Sequence, residues 1–294
     1  MLQYFAFRLL ATLAPLLPAR VAYWLCDCVG DLIYRLLPRR RATVRRNLSI
    51  VLRRGPDEVE PLVRETFRQG MKYYYDTFRI PALMDADLDN LIDLEGWPNV
   101  ERALEAGKGV VIFTGHFGSP ALVAQIVVVR GHHITSVVEP VKPARLFDLI
   151  NGIRGSGRVT FLPLGPDSFR DLAEVLRQNG IVGIVGDRDI LGTGVRVKLF
   201  GVETTLPGGP VMLCLRTGAA LIPAFTFRKG NGRFGARVGE PVALDITGGL
   251  RESVSVNTQK LAGLLEDVIA KSPEQWIVFE PIWPEGSTAA SGGR

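Results

Sequence analysis

The 294-residue sequence predicts an α/β fold: a central, mostly parallel sheet flanked by helices, preceded by a helical N-terminal membrane-associating segment. Three observations lead there. Between residues 110 and 225, short apolar runs alternate with stretches of helical periodicity, the pattern of strand–helix–strand units. Residues 1–80 read as helical. Hydrophobic residues make up 47 % of the chain, enough for a sizeable core, so disorder of its bulk is excluded.

The apolar run 9–19 is too short to cross a bilayer, which takes about 20 residues, and Pro15 and Pro18 interrupt it. Arg8 breaks the start and no small-residue cleavage motif follows, so a signal peptide is not expected. Val21, Trp24, Leu25, Cys28, Leu32 and Leu36 then recur at helical spacing, with Asp27, Asp31 and Arg35 on another face. Such a helix either lies in a lipid interface or packs on the core. The arginines that follow, at 39–41, 45, 46, 53 and 54, favour the interface. Helix is expected to run out before Pro81, just after Tyr73, Tyr74 and Tyr75.

Strands are expected at 110–113, 134–138, 159–162, 181–185 and 221–225, helices at 119–130, 143–154, 166–178 and 207–217, and a late helix at 254–271. The divisions are a helical region over 1–80, an α/β domain over 81–285 and a frayed tail over 286–294.

The net charge of +5 is modest, and its concentration near the N-terminus points to an anionic membrane surface or a phosphorylated substrate; no nucleic-acid partner is expected. Cys26, Cys28 and Cys214 form no disulfide framework, which fits a reducing compartment, and no second Cys/His cluster completes a zinc site. Neither a metal nor a cofactor is expected. A dinucleotide fingerprint, a Walker loop and a G-x-S-x-G elbow are all missing, and Cys214 lies in an apolar helical run.

In open α/β sheets, ligands bind beyond the carboxyl ends of strands, and two loops there are unusually polar: 114–119 and 186–189. His116 follows the strand at 110–113 and precedes a helix that Ser119 and Pro120 are suited to start. It is the candidate general base, with Phe117, Gly118 and Ser119 beside the substrate and their backbone donors facing an oxyanion. Asp187, Arg188 and Asp189 are candidate substrate-binding residues, the arginine being apt for phosphate; an ion-pair cluster of structural worth is the other reading. Glu139 and Glu203 are the candidate carboxylates to orient the imidazole, and either Asp187 or Asp189 is a further possibility within about 4 Å or through one water.

Several motifs occur in a family's order: Arg45-Arg46-Asn47-Leu48, Gly115-His116-Phe117-Gly118, Glu139-Pro140-Val141-Lys142-Pro143 with Leu146-Phe147, Gly186-Asp187-Arg188-Asp189, Leu199-Phe200-Gly201, Leu206-Pro207-Gly208-Gly209-Pro210, Thr217-Gly218-Ala219 and Pro273-Glu274-Gln275-Trp276. In these the chain resembles the bacterial lipid A biosynthesis acyltransferases, more closely their phosphatidylinositol mannoside acyltransferase branch. The resemblance implies a peripheral or monotopic enzyme at the cytoplasmic face of the inner membrane. It would move a fatty acyl group from acyl-coenzyme A or acyl carrier protein to a glycolipid hydroxyl. The family histidine, in an H-x4-D/E motif, falls on His116, but the acid five residues later falls on Ala121. That departure permits a weakened or inactive lipid-binding relative; an unrelated α/β enzyme acting on phosphorylated sugars is a further class, which the order of the motifs disfavours.

Overall fold

Val110–Thr114 is apolar and buried along its whole length, so it needs a sheet neighbour on each side and a helical layer on each face. The computed structural model, which describes residues 2–287, places it near the middle of a seven-stranded sheet. The strands are β1 (Ile92–Glu95), β2 (Val110–Thr114), β3 (Ile134–Val138), β4 (Val159–Pro163), β5 (Ile181–Val185), β6 (Val195–Leu199), β7 (Val202–Leu206), β8 (Ala220–Arg228) and β9 (Phe234–Val238). The sheet order is β1-β9-β8-β2-β5-β3-β4. Every pairing in it is parallel except β8 with β9. The predicted α/β fold with its five central strands is therefore present.

The remaining strands were not expected. β1 and β9 are short and carry charges that pair across the surface, Asp93 with Lys229 at 2.7 Å and Glu95 with Arg237 at 3.1 Å. β6 and β7 form a separate antiparallel hairpin, turned through Phe200 (φ +53°) and Gly201 (φ +78°). Two positive φ values in a two-residue loop give the twist that a tight hairpin needs. The helical stretch expected over 119–130 is two short helices, Pro120–Val123 and Gln125–Val129. The late helix is Leu250–Ile269. Of the expected tail, residues 288–294 lie outside the described residues.

The first 80 residues fold into the helices Leu2–Leu13, Ala19–Leu36, Pro38–Leu52 and Pro56–Arg79. Ala19–Leu36 is inverted relative to an ordinary surface helix. Its acidic residues face inward: Asp31 bonds Arg68 at 2.8 and 2.9 Å and also Arg64, while Asp27 meets Lys72 at 2.7 Å. Hydrogen bonds from the two guanidiniums hold the Asp31 carboxyl well below the usual carboxylate range. Gly30 permits this approach, since a Cβ there would lie 2.7 Å from Arg68 Cα. The apolar stripe faces outward, with Trp24 62 % and Leu36 65 % exposed, which removes the reading that it packs on the core. Among the described residues, no helix is long and apolar enough to cross a membrane.

The helical region is fastened to the sheet by a buried ion pair. Arg228, at the end of β8, bonds Asp76 on Pro56–Arg79, and its Nε donates to Gln69 Oε1 at 3.1 Å. Tyr23 Oη donates to Asp76 at 2.8 Å, and the Tyr23 and Phe234 rings lie 5.2 and 4.9 Å from the guanidinium carbon. Asp76 is inaccessible to solvent. Removing one partner strands the other charge, so Asp76→Ala should cost about 3–5 kcal/mol in chemical denaturation. The double variant Asp76→Ala with Arg228→Met should cost less than the two single changes added together. Strict additivity would show that the pair does not fasten the layers.

Candidate active site

β2 and β5 are parallel neighbours in the register Thr114↔Val185, so the loops that follow them start side by side. Gly186 N–H closes the junction on Thr114 O at 2.8 Å. His116 and Asp187, each two residues beyond its strand, are thereby brought together. Asp187 Oδ1 lies 2.7 Å from His116 Nδ1, and Asp187 Oδ2 accepts the His116 backbone N–H at 2.8 Å. Trp276 Nε1 donates to the same oxygen at 2.8 Å. An ionised carboxylate only accepts, so Nδ1 carries a proton, and whenever the ring is neutral Nε2 is the nitrogen with the lone pair. Asp187 is wholly buried, while the His116 side chain is about a third exposed. Burial raises the Asp187 pKa, but the His116 charge, the His116 side-chain and backbone hydrogen bonds and the Trp276 hydrogen bond outweigh it, and the carboxyl is held below its ordinary range.

Glycine is required at two places in these loops. Gly118 has φ +58° and lies against the backbone of Thr226 and Phe227. At Gly186 a Cβ would sit 2.4 Å from the Phe113 ring. The segment 275–277 clamps the His116 loop from outside: Ile277 N–H donates to His116 O at 2.8 Å, and Gly118 N–H to Gln275 O at 3.3 Å. The Gln275 side chain is itself fixed to the Arg228 backbone, at 2.6 and 3.2 Å.

His116 lines a cavity of about 420 Å³ that runs in among Ile112, Val127, Ile134, Val159, Phe161 and Ala224. Glu139, Arg154, Arg188 and Glu280 line it as well. Arg188 is held only loosely, 3.8 Å from Glu139 and 3.5 Å from Glu280, and Glu280 is tied in turn to Arg40 at 2.8 Å.

The expected site residues thus divide. His116, Glu139 and Arg188 share the cavity. Asp187, expected to touch substrate, is sealed beneath the imidazole and is its orienting carboxylate, while Glu139 pairs with Arg188. Glu203 is not at the site. It is exposed on β7 opposite Lys198, because the run before it is one strand of the hairpin and not a sheet strand ending at the cavity. Asp189 shapes its own loop by accepting Gly194 N–H at 2.8 Å. Phe117 and Ser119 are buried, and Ser119 does not cap a helix through its side chain. The Phe117 amide is engaged by Gly115 O at 2.8 Å and the Gly118 amide by Gln275, so neither faces an oxyanion. Ala121 lines the cavity without supplying an acid. Trp276 was missed as a site residue, although its motif was visible; only the fold shows that its indole reaches Asp187.

A buried carboxylate bonded to a partly exposed histidine, beside a largely apolar cavity, is the arrangement of an enzyme site. The chain belongs to the bacterial lipid A biosynthesis acyltransferase family, whose description matches residues 1–285, and it is an acyltransferase. It is similar to the phosphatidylinositol mannoside acyltransferase of Mycobacterium tuberculosis H37Rv, 34 % identical over 246 residues that cover 82 % of this chain and 76 % of the relative. The enzyme of the same name from Mycolicibacterium smegmatis is 32 % identical, over 82 % of this chain and 78 % of that one. A lipid A biosynthesis palmitoleoyltransferase of Escherichia coli K12 is 24 % identical, over 73 % and 70 %.

In Asp187→Asn the amide oxygen stays with the His116 and Trp276 N–H donors, the NH2 faces His116 Nδ1 and favours the wrong tautomer, and acyl transfer should slow by about 10²–10⁴-fold in a product assay. Because the folded carboxyl titrates below its unfolded value, its contribution to stability is complete at neutral pH and is lost as pH falls through the depressed pKa. The unfolding free-energy gap between the parent and Asp187→Asn should therefore shrink on acidification. A gap unchanged from about pH 7 to about pH 3 would contradict this assignment.

Proposed function

We propose that the protein transfers a fatty acyl group from a thioester, acyl-coenzyme A or acyl carrier protein, to a hydroxyl of a membrane glycolipid. The observation that carries this reading is the partly exposed His116 ring, held by a buried carboxylate and lining the apolar cavity. His116 Nε2 takes the acceptor hydroxyl proton as the oxygen attacks the thioester carbonyl carbon. The tetrahedral adduct collapses, the carbon–sulfur bond breaks, and the imidazolium returns the proton to the departing thiolate. Arg188 is the cation available to the developing oxyanion. The apolar cavity receives the acyl chain, whose burial is favoured by roughly 0.8 kcal/mol per methylene.

The names of the relatives support a glycolipid acceptor, and the higher identities favour one of the phosphatidylinositol mannoside type. Asp187 supplies the carboxylate that Ala121 lacks, which supports catalysis over a lipid-binding relative without activity. The protein works at the cytoplasmic face of the cell membrane, held by the outward stripe of Ala19–Leu36 and by exposed arginines such as Arg39, Arg40, Arg53 and Arg54.

His116→Ala should lower transfer by about 10²-fold or more. Because it also takes the ring donor from the buried Asp187 carboxylate, it should cost about 1–3 kcal/mol of stability, so turnover is compared on folded protein. Turnover within about tenfold of the parent would reject the base assignment.

Trp24→Asp with Leu32→Asp should weaken sedimentation with anionic vesicles, and added salt should weaken the parent's binding by screening its arginines. Sedimentation indifferent to both would remove the interfacial helix.

A further inference from the structure

We propose that a second cavity, beside the one lined by His116, binds the phosphate and adjoining chain of the acceptor lipid. The inference rests on the acyl-transfer reading and adds the acceptor's site to it. The cavity measures about 300 Å³ and lies among the helices Leu2–Leu13, Pro56–Arg79 and Ala144–Gly155. Phe7, Phe78, Leu146, Phe147 and Ile150 give it an apolar wall. Tyr74, Glu139, Val141 and Arg154 line both cavities and so form their common border.

Two polar groups at this cavity have no partner. Arg154 Nε and Asn151 Nδ2 are buried without a hydrogen bond, and among the described residues no ion pair engages Arg154. Arg154 is half-buried at this border with its Nε unpartnered, and a phosphate is the anion that its planar fork suits. The apolar wall requires that a chain adjoin that phosphate. The membrane can deliver such a ligand, because the helix that contributes Phe7 turns Phe5, Leu9, Leu10 and Leu13 to the outside. Coenzyme A fits less well, since its phosphates carry no adjoining apolar chain. Glu139, shared by both cavities, is placed to accept hydrogen bonds from sugar hydroxyls that extend from the phosphate towards His116.

The test is calorimetric titration of the full-length protein with monomeric dihexanoyl phosphatidylinositol, with dihexanoylglycerol as the control lacking phosphate and coenzyme A as the control for donor phosphates. Arg154→Gln should weaken binding of the phosphatidylinositol at least about tenfold. Ile150→Trp, which fills this cavity and does not line the other, should do the same. Asn151→Asp keeps the shape of the site and sets a negative charge against the phosphate, so it reports even if the tryptophan variant does not fold. Dihexanoylglycerol should bind weakly and be indifferent to Arg154→Gln, and coenzyme A affinity should be unchanged in all three variants. Phosphatidylinositol affinity that survives all three changes overturns the site. Loss of coenzyme A affinity in Arg154→Gln assigns the guanidinium to the donor and overturns it too. Because binding is read without turnover, this lipid pattern in a protein that shows no transfer would support the site while rejecting the reaction.

Discussion

The arrangement of the site depends on one buried carboxylate and the donors that converge on it. Asp187 accepts from His116 twice, through ring and backbone, and from the Trp276 indole, while no part of it meets water. A charge so placed is tolerable only if its lone pairs are filled by hydrogen bonds and a cation or a polarised ring stands against it. That requirement determines the local fold. It brings the ends of β2 and β5 level, demands Gly186 where the turn crosses Phe113, and draws the 275–277 segment across the His116 loop. The imidazole is thus oriented by the same hydrogen bonds that neutralise the buried charge.

β2 and β5 were legible because each is an almost wholly apolar run, the signature of a strand covered on both faces, and β3, β4 and β8 are rich enough in β-branched and aromatic residues to follow them. β1 and β9 were not, because they bear Asp93, Glu95 and Arg237 at the surface and so break the apolar run. His116 was legible as a polar residue directly after a buried strand. Its partner was among the candidates, but the sequence gives no register, and Glu139 and Glu203 satisfied the same local pattern. Pairing decides between them: β5 is the hydrogen-bonded neighbour of β2, β3 is one strand further out, and β7 is in another sheet. Several recognisable motifs proved to be scaffold. Leu199-Phe200-Gly201 makes the hairpin turn, and Gly218, at φ +78°, ends the helix Gly209–Thr217.

The inverted helix Ala19–Leu36 shows why periodicity alone is ambiguous. Its stripe has the spacing of a core-facing helix, yet Asp27 and Asp31 form the buried-side contacts with Lys72, Arg64 and Arg68. Fully burying a large apolar side chain is worth about 1.5–3 kcal/mol, a gain that Trp24, Leu32 and Leu36 forgo in water. Helix packing here rests on charge pairing and on the close approach at Gly30, which leaves the apolar surface free for a second solvent.

The segment from Trp276 onward runs from beneath the active-site loop to the basic helix Pro38–Leu52. Asn47 Nδ2 donates to Glu280 O at 2.9 Å, Arg40 reaches Phe279 O at 3.0 Å, and Arg46 reaches Pro284 O. The segment after Trp276 is therefore stitched to the helix Pro38–Leu52, and it begins at the indole that completes the Asp187 environment. During synthesis, β2, β5 and the histidine all emerge from the ribosome long before residue 276 does. A nascent chain therefore lacks the indole donor to Asp187 until residue 276 has emerged, and the helix Pro38–Leu52 receives its tether from the same segment.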